Sequence, residues 1–188
     1  HILSDVAASI RGKLAEKNIA SAEVEGIGMG VPGPVGSDYT VYKCINLGWG
    51  VFNIEKALSD LTGLPVKAGN DATVATLGEC WKGGGAGCKN MVMATLGTGV
   101  GGGIVVDGKP VSGVHGAGGE IGHLVLNKYE TEKCGCGKYG CVEQYCSATG
   151  VVRVAKRHLA LSDRDSLLRS CTNLTCKDVF DAAKENDA

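Results

Sequence analysis

The order of apolar and polar positions predicts helices and strands that alternate in the first half of the chain. Leu3, Ala7, Ile10 and Leu14 recur at helical spacing with charged residues between them, which predicts an amphipathic helix that packs on a sheet. Short apolar runs bounded by glycine or proline predict buried strands, because proline removes a ladder donor and fixes φ. The predicted elements are a helix that ends near Asn18, a strand over 24–31, a helix over 52–61, a strand over 66–68 and a helix from Asn70-Asp71 to about Trp81.

Glycines mark a change of pattern in the second half. The glycine run 83–85 is the clearest break in composition, and strands are predicted over 90–96 and 101–106 on either side of the turn 97–99. Asp107-Gly108 is a strong signal for a two-residue hairpin. Strands and helices that alternate in this way predict an α/β fold, with one domain over residues 1–85 and a second over residues 86–188.

From Cys141 onward the spacing of apolar residues is helical. Val151, His158 and Leu159 share one predicted face, and Thr175 is the predicted start of a last helix. Cys146 falls at helical spacing from Cys141, which favours a core position for its side chain. The C-terminal part of the chain is therefore predicted to be mainly helical.

Composition narrows the class of protein. The 188 residues are 44% apolar and 21% charged, and 19 Lys+Arg stand against 20 Asp+Glu, which is the profile of a soluble globular protein with a core. A net charge of −1 argues against a broad basic surface, so nucleic acid is an unlikely partner. The apolar runs fall far short of the roughly 20 residues that cross a bilayer, so no membrane partner is expected. The chain opens without Met, so its true start is not visible.

The cysteines carry the most specific chemical signal. Nine are present, and three of them crowd between Cys134 and Cys141, which suits metal ligation in a reducing, cytoplasmic compartment better than disulfides. His123 with Cys134, Cys136 and Cys141 makes a Cys3His set, which has the four ligands of a closed structural zinc site. The alternative is a run of unrelated buried thiols, since free cysteine packs as a small hydrophobe.

Two carboxylates flank this set in the sequence. Glu120 lies three residues before His123, and Glu143 lies two residues after Cys141, so a folded knuckle would bring both toward one pocket that suits a polar, hydroxyl-rich ligand. The alternative for Glu120 is a solvated loop acid. The alternative for Glu143 is an acidic residue in the first turn of a helix, where it complements the helix dipole.

Two further segments carry polar groups at places where ligands bind. Asn70-Asp71 stands where a strand meets a helix, and Asp71 there could accept the proton of a substrate hydroxyl. The alternative is helix capping, which both residue types perform well. The glycine-rich segment 97–103 offers backbone N–H groups and the Thr98 hydroxyl for phosphate oxygens, or is a glycine hairpin without a ligand. Strands rather than a helix are predicted to follow it, which argues against a dinucleotide fingerprint.

Together, these motifs resemble the ROK family (repressor, open reading frame, kinase). The resemblance runs from about residue 24 to residue 150, and the context of Asn46-Leu-Gly-Trp49 is similar to glucokinases within the family. The motifs occur in family order as Val31-Pro-Gly-Pro34, Gly69-Asn-Asp71, Leu96-Gly-Thr-Gly-Val-Gly-Gly-Gly103, Gly119-Glu-Ile-Gly-His123 and Cys134-Gly-Cys-Gly-Lys-Tyr-Gly-Cys-Val-Glu143.

The resemblance implies an actin-like, hexokinase-like (ribonuclease H-like) two-domain fold with sugar and ATP in the cleft between the domains. It implies a glucokinase that phosphorylates glucose at the 6-hydroxyl, with Asp71 as the catalytic base, Mg²⁺ on the ATP phosphates, structural Zn²⁺, and a homo-oligomeric state, dimer or tetramer. The implied sugar contacts are Gly33, Asn70, Asp71, Glu120, His123 and Glu143, and the implied phosphate contacts are Gly97, Thr98, Gly99, Val100, Gly101, Gly102 and Gly103.

The chain also departs from the family pattern. Residues 1–188 contain neither the Asp-x-Gly-Gly-Thr turn nor the glycine-rich adenosine segment, so a fragment that lacks both ends is expected to bind ATP poorly. A sugar-responsive transcriptional repressor of the same family remains an alternative, although Asp71 and the full glycine turn favour the enzyme. A kinase for another hexose, such as N-acetylmannosamine or fructose, also remains open. A zinc module for nucleic acid is disfavoured by the single knuckle and the slightly negative charge.

Overall fold

A computed structural model describes residues 2–42, 44 and 47–187 of the chain. Two compact units share the chain unequally, and the chain passes between them three times. The first unit comprises His1–Met93 and Gly103–Gly119, and the second comprises Ala94–Gly102 and Glu120–Ala188. The domain boundary predicted after residue 85 stays a prediction.

The first unit opens with the predicted amphipathic helix. Helix α1 spans Ile2–Glu16, and the chain then reverses through Asn18, which adopts a left-handed conformation with φ of 53°. Ala7 is completely buried and clusters with Leu58 and Val66, so the helix packs on a sheet as predicted. The helix and its end are therefore confirmed.

A parallel strand pair lies under this helix. Strand β1 spans Ile27–Val31 and pairs with β4, Val66–Asn70, in a register that places Val31 opposite Asn70. Both strands were predicted; β1 begins three residues later than expected, and a short 3-10 helix over Ser21–Glu23 precedes it. The carboxyl ends of the two strands therefore lie side by side, where open α/β sheets place ligand contacts.

The predicted helix over 52–61 begins later than expected. Phe52–Asn53 forms strand β3 and pairs antiparallel with β2, Thr40–Val41, so the prediction that Phe52 is helical is wrong. The Asn53 side chain accepts a hydrogen bond from the Lys56 N–H at 2.8 Å, which caps helix α2, Ile54–Thr62. The core beside these elements consists of Val31, Val35, Val41, Cys44 and Ile54.

Helix α3 and a three-stranded sheet follow. The helix spans Asp71–Lys82, as predicted, and the strands are β5, Met91–Leu96, β6, Val100–Val106, and β7, Lys109–Pro110, in the order β5-β6-β7. Asp107 and Gly108 have φ of 49° and 75°, and two left-handed residues are what a type I′ hairpin requires. The predicted hairpin is confirmed.

The helices of the second unit are α4, Glu143–Cys146, α5, Ala148–Leu161, and α6, Cys176–Lys184. Thr175 caps α6 in a capping box with Asp178, so the predicted start is confirmed. One prediction is wrong here, because Cys146 is exposed rather than in the core. Cys141 precedes α4, which begins at Glu143, so helical spacing counted from Cys141 does not apply to Cys146. Ser147 is extended (φ −74°, ψ 164°) and separates α4 from α5. His158 lies on α5, as its spacing predicts, and is exposed. Among the described residues, no helix combines the length and apolar character that crossing a bilayer requires.

Candidate functional site

The second unit brings the four predicted metal ligands together. The ligand atoms of His123, Cys134, Cys136 and Cys141 all lie within 4.8 Å of one another. The Cys136 and Cys141 sulfurs are 3.7 Å apart, and the Cys134 sulfur lies 3.8 Å from His123 Nδ1. Zinc–sulfur bonds of about 2.3 Å in a tetrahedron place two sulfurs about 3.8 Å apart. The donor set therefore has the identity, number and spacing of a structural zinc site.

Glycines allow the chain to turn tightly around these ligands. The Gly137 N–H donates to the Cys134 carbonyl and the Cys134 N–H to the Lys138 carbonyl, both at 2.8 Å, which closes the turn that carries the first two cysteines. Gly137 has φ of 91° and Gly140 has φ of 69°, both in the left-handed region that favours glycine. A Cβ on Gly140 would also overlap the carbonyl of Asn127. A side chain at Gly140 would therefore move the knuckle, and one at Gly137 would strain its backbone.

The three thiols differ in their acidity. Burial raises the pKa of Cys141 to about 12 and also raises the pKa of Cys134. Burial opposes ionisation at Cys136 as well, but hydrogen bonds from the Lys138 N–H and the neighbouring thiols bring the pKa of Cys136 below its usual value. Three thiolates this close repel one another, so a dication is the partner that stabilises the ionised set.

A buried polar network, which the sequence analysis missed, supports the knuckle. The Cys141 N–H donates to Gln144 Oε1 at 3.1 Å, and Gln144 Nε2 donates to the Glu132 carbonyl at 3.0 Å. The Glu130 side chain has no exposed surface and accepts hydrogen bonds from the Tyr145 hydroxyl at 2.6 Å and from Arg153 at 3.0 Å. No motif spacing connects these residues, since the partners of Glu130 lie 15 and 23 positions away.

Both flanking carboxylates lie beside the ligand set. Glu120 Oε2 is 3.8 Å from His123 Nε2, and Glu143 Oε1 is 3.9 Å from the Cys134 sulfur. The sequence placed these acids near the knuckle by spacing alone, and the structure brings them there. Glu143 also begins α4, so the first-turn position considered for it is occupied at the same time. Their contacts with a sugar stay a prediction.

The glycine-rich segment is a shorter turn than its sequence indicates. Only residues 97–99 form the turn, because Val100–Val106 is strand β6. The Gly97 N–H donates to the Gly99 carbonyl and the Val100 N–H donates to Glu143 Oε2, both at 3.0 Å. Within the described part of the chain, the N–H groups of Thr98 and Gly99 have no hydrogen-bond acceptor. Any phosphate contact of Gly101, Gly102 or Gly103 would have to be made from within a strand.

The first unit brings Gly33, Asn70 and Asp71 together at the carboxyl ends of β1 and β4. Asn70 Oδ1 accepts the Thr73 N–H at 3.1 Å and its Nδ2 donates to the Gly33 carbonyl at 3.3 Å, so Asn70 caps α3 and fixes the loop that follows β1. The capping alternative considered for this pair is thus confirmed for Asn70. Asp71 accepts the Ala72 N–H at 2.8 Å, and its side chain stays exposed.

A cavity of about 470 Å³ opens beside this group within the first unit. Asn70 and Gly69 line one part of it, and the rest of the lining mixes apolar side chains such as Val35 and Leu77 with polar ones such as Lys67. Asp71 and Gly33 do not line it, so the predicted base does not face this cavity.

The segment that is similar to glucokinases, Asn46-Leu-Gly-Trp49, belongs only in part to the residues that the structure describes. Asn46 lies outside the described residues. Trp49 packs edge-on against Phe52, with ring centroids 5.4 Å apart, beside the core of the first unit. In the described residues this segment has a packing role.

Comparison with known proteins identifies a family and several relatives. The ROK family profile matches residues 6–188. The chain is 41% identical over 191 residues to a glucokinase of Halalkalibacterium halodurans, covering all of this chain and 58% of the relative. It is 31% identical over 180 residues to a xylose repressor of Caldicellulosiruptor bescii, covering 92% of this chain and 45% of the relative.

Solved structures give the fold. A ROK family glucokinase from Streptomyces griseus, crystallised with glucose and AMPPNP, matches with a TM-score of 0.73 and 31% identity over 97% of this chain and 60% of that chain. The predicted fold class, an actin-like, hexokinase-like α/β fold, is therefore confirmed. The chain spans about half the length of the relatives it matches.

Proposed function

This chain belongs to the ROK family, and on that premise we propose that it carries the sugar site of an ATP-dependent kinase that phosphorylates glucose at the 6-hydroxyl. One observation carries the proposal. Asn70 caps helix α3 and contacts the Gly33 carbonyl, and the Asp71 carboxylate next to it in the sequence stays exposed at the start of the helix. An exposed carboxylate at the carboxyl ends of parallel strands suits a base that accepts the proton of a bound hydroxyl.

Each candidate site residue has a separate role in the proposed phosphoryl transfer. Asn70 and the Gly33 loop orient the sugar so that its reacting hydroxyl meets Asp71, which takes the proton as the oxygen attacks phosphorus. Glu120, His123 and Glu143 accept and donate hydrogen bonds to the remaining hydroxyls. The N–H groups of Thr98 and Gly99 bind phosphate oxygens, where charge develops during transfer. Mg²⁺ would neutralise phosphate charge, and Zn²⁺ held by His123 and the three cysteines would be structural.

A sugar-responsive repressor is the second candidate, favoured by the 31% identity to a xylose repressor. A sensor needs the contacts to the sugar but neither a base nor a phosphate-binding turn. Asp71 and the free N–H groups of Thr98 and Gly99 therefore favour the kinase. N-acetylmannosamine and N-acetylglucosamine kinases also occur among the relatives, so kinetic measurements with several sugars decide which substrate is preferred.

The test uses the full-length protein with Mg²⁺-ATP and glucose, N-acetylmannosamine, fructose or xylose. We expect the highest kcat/KM with glucose, and a fall in kcat of roughly 10³-fold or more in Asp71→Asn, because the base is lost while the amide keeps the Ala72 contact. Asp60→Asn, on an exposed face of α2, is the matched control. Sugar binding without phosphorylation of any sugar would make the protein a regulator rather than a kinase.

A further inference from the structure

Glu143 connects the candidate metal centre to the glycine turn. Its carboxylate reaches both, with Oε1 3.9 Å from the Cys134 sulfur and Oε2 3.0 Å from the Val100 nitrogen. We infer that Glu143 is a positioning residue through which the metal centre fixes the turn that binds nucleotide phosphates. This inference rests on the proposed kinase function and extends it.

The knuckle fixes Glu143 in place. Glu143 is two residues beyond the ligand Cys141, and the next residue, Gln144, accepts the Cys141 N–H at 3.1 Å. Gln144 is itself buried and donates to the Glu132 carbonyl. The backbone around Glu143 is therefore tied to the loop that carries the cysteines, and a change in that loop moves the carboxylate.

The turn is held from a second side of the metal centre. Gly122, next to the ligand His123, packs directly on Val100, and a Cβ there would overlap the Val100 carbonyl. Gly99 packs as closely on the Glu143 carboxylate, which a Cβ on Gly99 would overlap. Val100 is buried between the two segments that carry candidate ligands. Its N–H donates to Glu143, which follows Cys141, and its carbonyl packs against Gly122, which precedes His123.

Helix α5 holds the remaining groups of the turn. The Ala148 N–H donates to the Gly97 carbonyl at 2.8 Å, and the Thr149 hydroxyl donates to the Thr98 carbonyl at 3.1 Å. With these carbonyls occupied, the free N–H groups of Thr98 and Gly99 have a fixed geometry. If the knuckle loses its metal and loosens, Glu143 releases Val100 and that geometry is lost. Nucleotide affinity then depends on a metal that does not contact the nucleotide.

The experiment measures the affinity of the full-length protein for Mg²⁺-AMPPNP by calorimetry, without sugar. We expect Glu143→Ala to weaken binding about tenfold or more, the range for losing a hydrogen bond to a charged group. Glu143→Gln keeps an oxygen that accepts the Val100 N–H, so its nucleotide affinity should stay within about twofold of the wild type while its sugar affinity falls. A role in sugar contact alone predicts unchanged nucleotide affinity in both variants.

Three controls sharpen the result. Glu79 also accepts the N–H of a glycine turn, from Gly84 at 2.8 Å, so Glu79→Ala should leave nucleotide affinity unchanged. Wild-type protein that has been stripped of its metal, with the chelator removed before Mg²⁺-AMPPNP is added, should bind the nucleotide more weakly, and the same treatment should add little in Glu143→Ala. Should Glu143→Ala fail to fold, Glu143→Asp tests the same contact, because its shorter side chain withdraws the carboxylate from the Val100 N–H.

The outcomes separate this inference from the proposed function. A wild-type protein that binds no AMPPNP and phosphorylates no sugar overturns the kinase proposal. A wild-type protein that binds AMPPNP, with Glu143→Ala and the chelated protein binding it equally well, overturns the positioning role and leaves the kinase intact.

Discussion

Arg153 on α5 lies 3.0 Å from the fully buried carboxylate of Glu130, on the loop that leads to Cys134. The Tyr145 hydroxyl donates to the same carboxylate, and together with the Glu132 N–H and Arg153 it lowers the pKa of Glu130 to about 2. The buried charge is thus fully compensated. It ties the loop that leads to the candidate metal ligands to helix α5.

Glu130→Gln should destabilise the protein by roughly 2–3 kcal/mol near pH 7, because it leaves Arg153 without its buried partner. The pKa of Glu130 is lowered from 4.5 to about 2 on folding, so this stabilisation is present above pH 4.5 and is lost as the pH falls toward 2. Urea unfolding at pH 7, 4 and 3 should show the gap between wild type and variant narrowing. Glu132→Gln is the control, since Glu132 also pairs with Arg153, at 2.8 Å, but is 64% exposed. An equal loss in both variants would contradict this account.

Elemental analysis should find one zinc ion per chain, and Cys136→Ser should lose it, because a closed structural site needs all four ligands. The thermal midpoint should fall in the variant, and a chelator should lower it in the wild type. Cys146→Ser is the matched control: this cysteine lies five residues beyond Cys141 but outside the ligand cluster, and it is exposed. Full zinc content in Cys136→Ser would rule out the proposed ligand set.

Gly116→Ala should cost about 3 kcal/mol or more of unfolding free energy. Gly116 has φ of 72°, and a Cβ there would lie 2.6–2.7 Å from the backbone of Val35, in the loop that follows Gly33. Gly108→Ala separates the two causes, because Gly108 has φ of 75° with nothing within 4 Å of its Cβ position. We expect about 1 kcal/mol for Gly108→Ala from backbone strain alone. Similar losses in chemical denaturation would show that the Val35 contact contributes nothing.

Asn70→Ala and Asn70→Asp separate capping from substrate orientation. The alanine variant loses the Thr73 cap and should be about 1 kcal/mol less stable. The aspartate variant keeps the cap but loses the donor to the Gly33 carbonyl, so its stability should match the wild type while the KM for sugar rises. Thermal unfolding and steady-state kinetics of the full-length protein measure the two effects. An unchanged KM in Asn70→Asp would argue that Asn70 only caps the helix.

Local signals in the sequence predicted most of the elements. These signals depend only on residues that are close in the sequence: the spacing of apolar residues, the Asp107-Gly108 pair and the capping residue Thr175. The helices, the strands and the type I′ hairpin could therefore be predicted. The Cys3His set was predictable as well, because ligand identity and tight glycine spacing are properties of one short segment. Phe52 was predicted to be helical because a single apolar residue next to the start of a helix fits a helix and a strand equally well.

Long-range contacts were not predictable. The Glu143–Val100 hydrogen bond joins residues 43 positions apart, and the Glu130–Arg153 pair joins residues 23 positions apart, so no motif indicates either. Cys146 was misplaced because Cys141 lies before α4, which begins at Glu143, so helical spacing counted from Cys141 does not set the face on which Cys146 lies. The glycine run 97–103 indicated a loop, although its second half is a strand, because glycine content does not distinguish the two.

His123 presents Nδ1 toward the cysteine sulfurs and Nε2 toward Glu120, at 3.8 Å in each direction. An ion bound at Nδ1 requires a lone pair there, which leaves the ring proton on Nε2. The tautomer of this imidazole would then be set by metal occupancy, and so would the direction of the hydrogen bond it offers: the ring becomes a donor to the oxygen in front of it. The metal-bound protein would therefore favour ligands that present a hydrogen-bond acceptor to His123 Nε2 over ligands that present only a donor there.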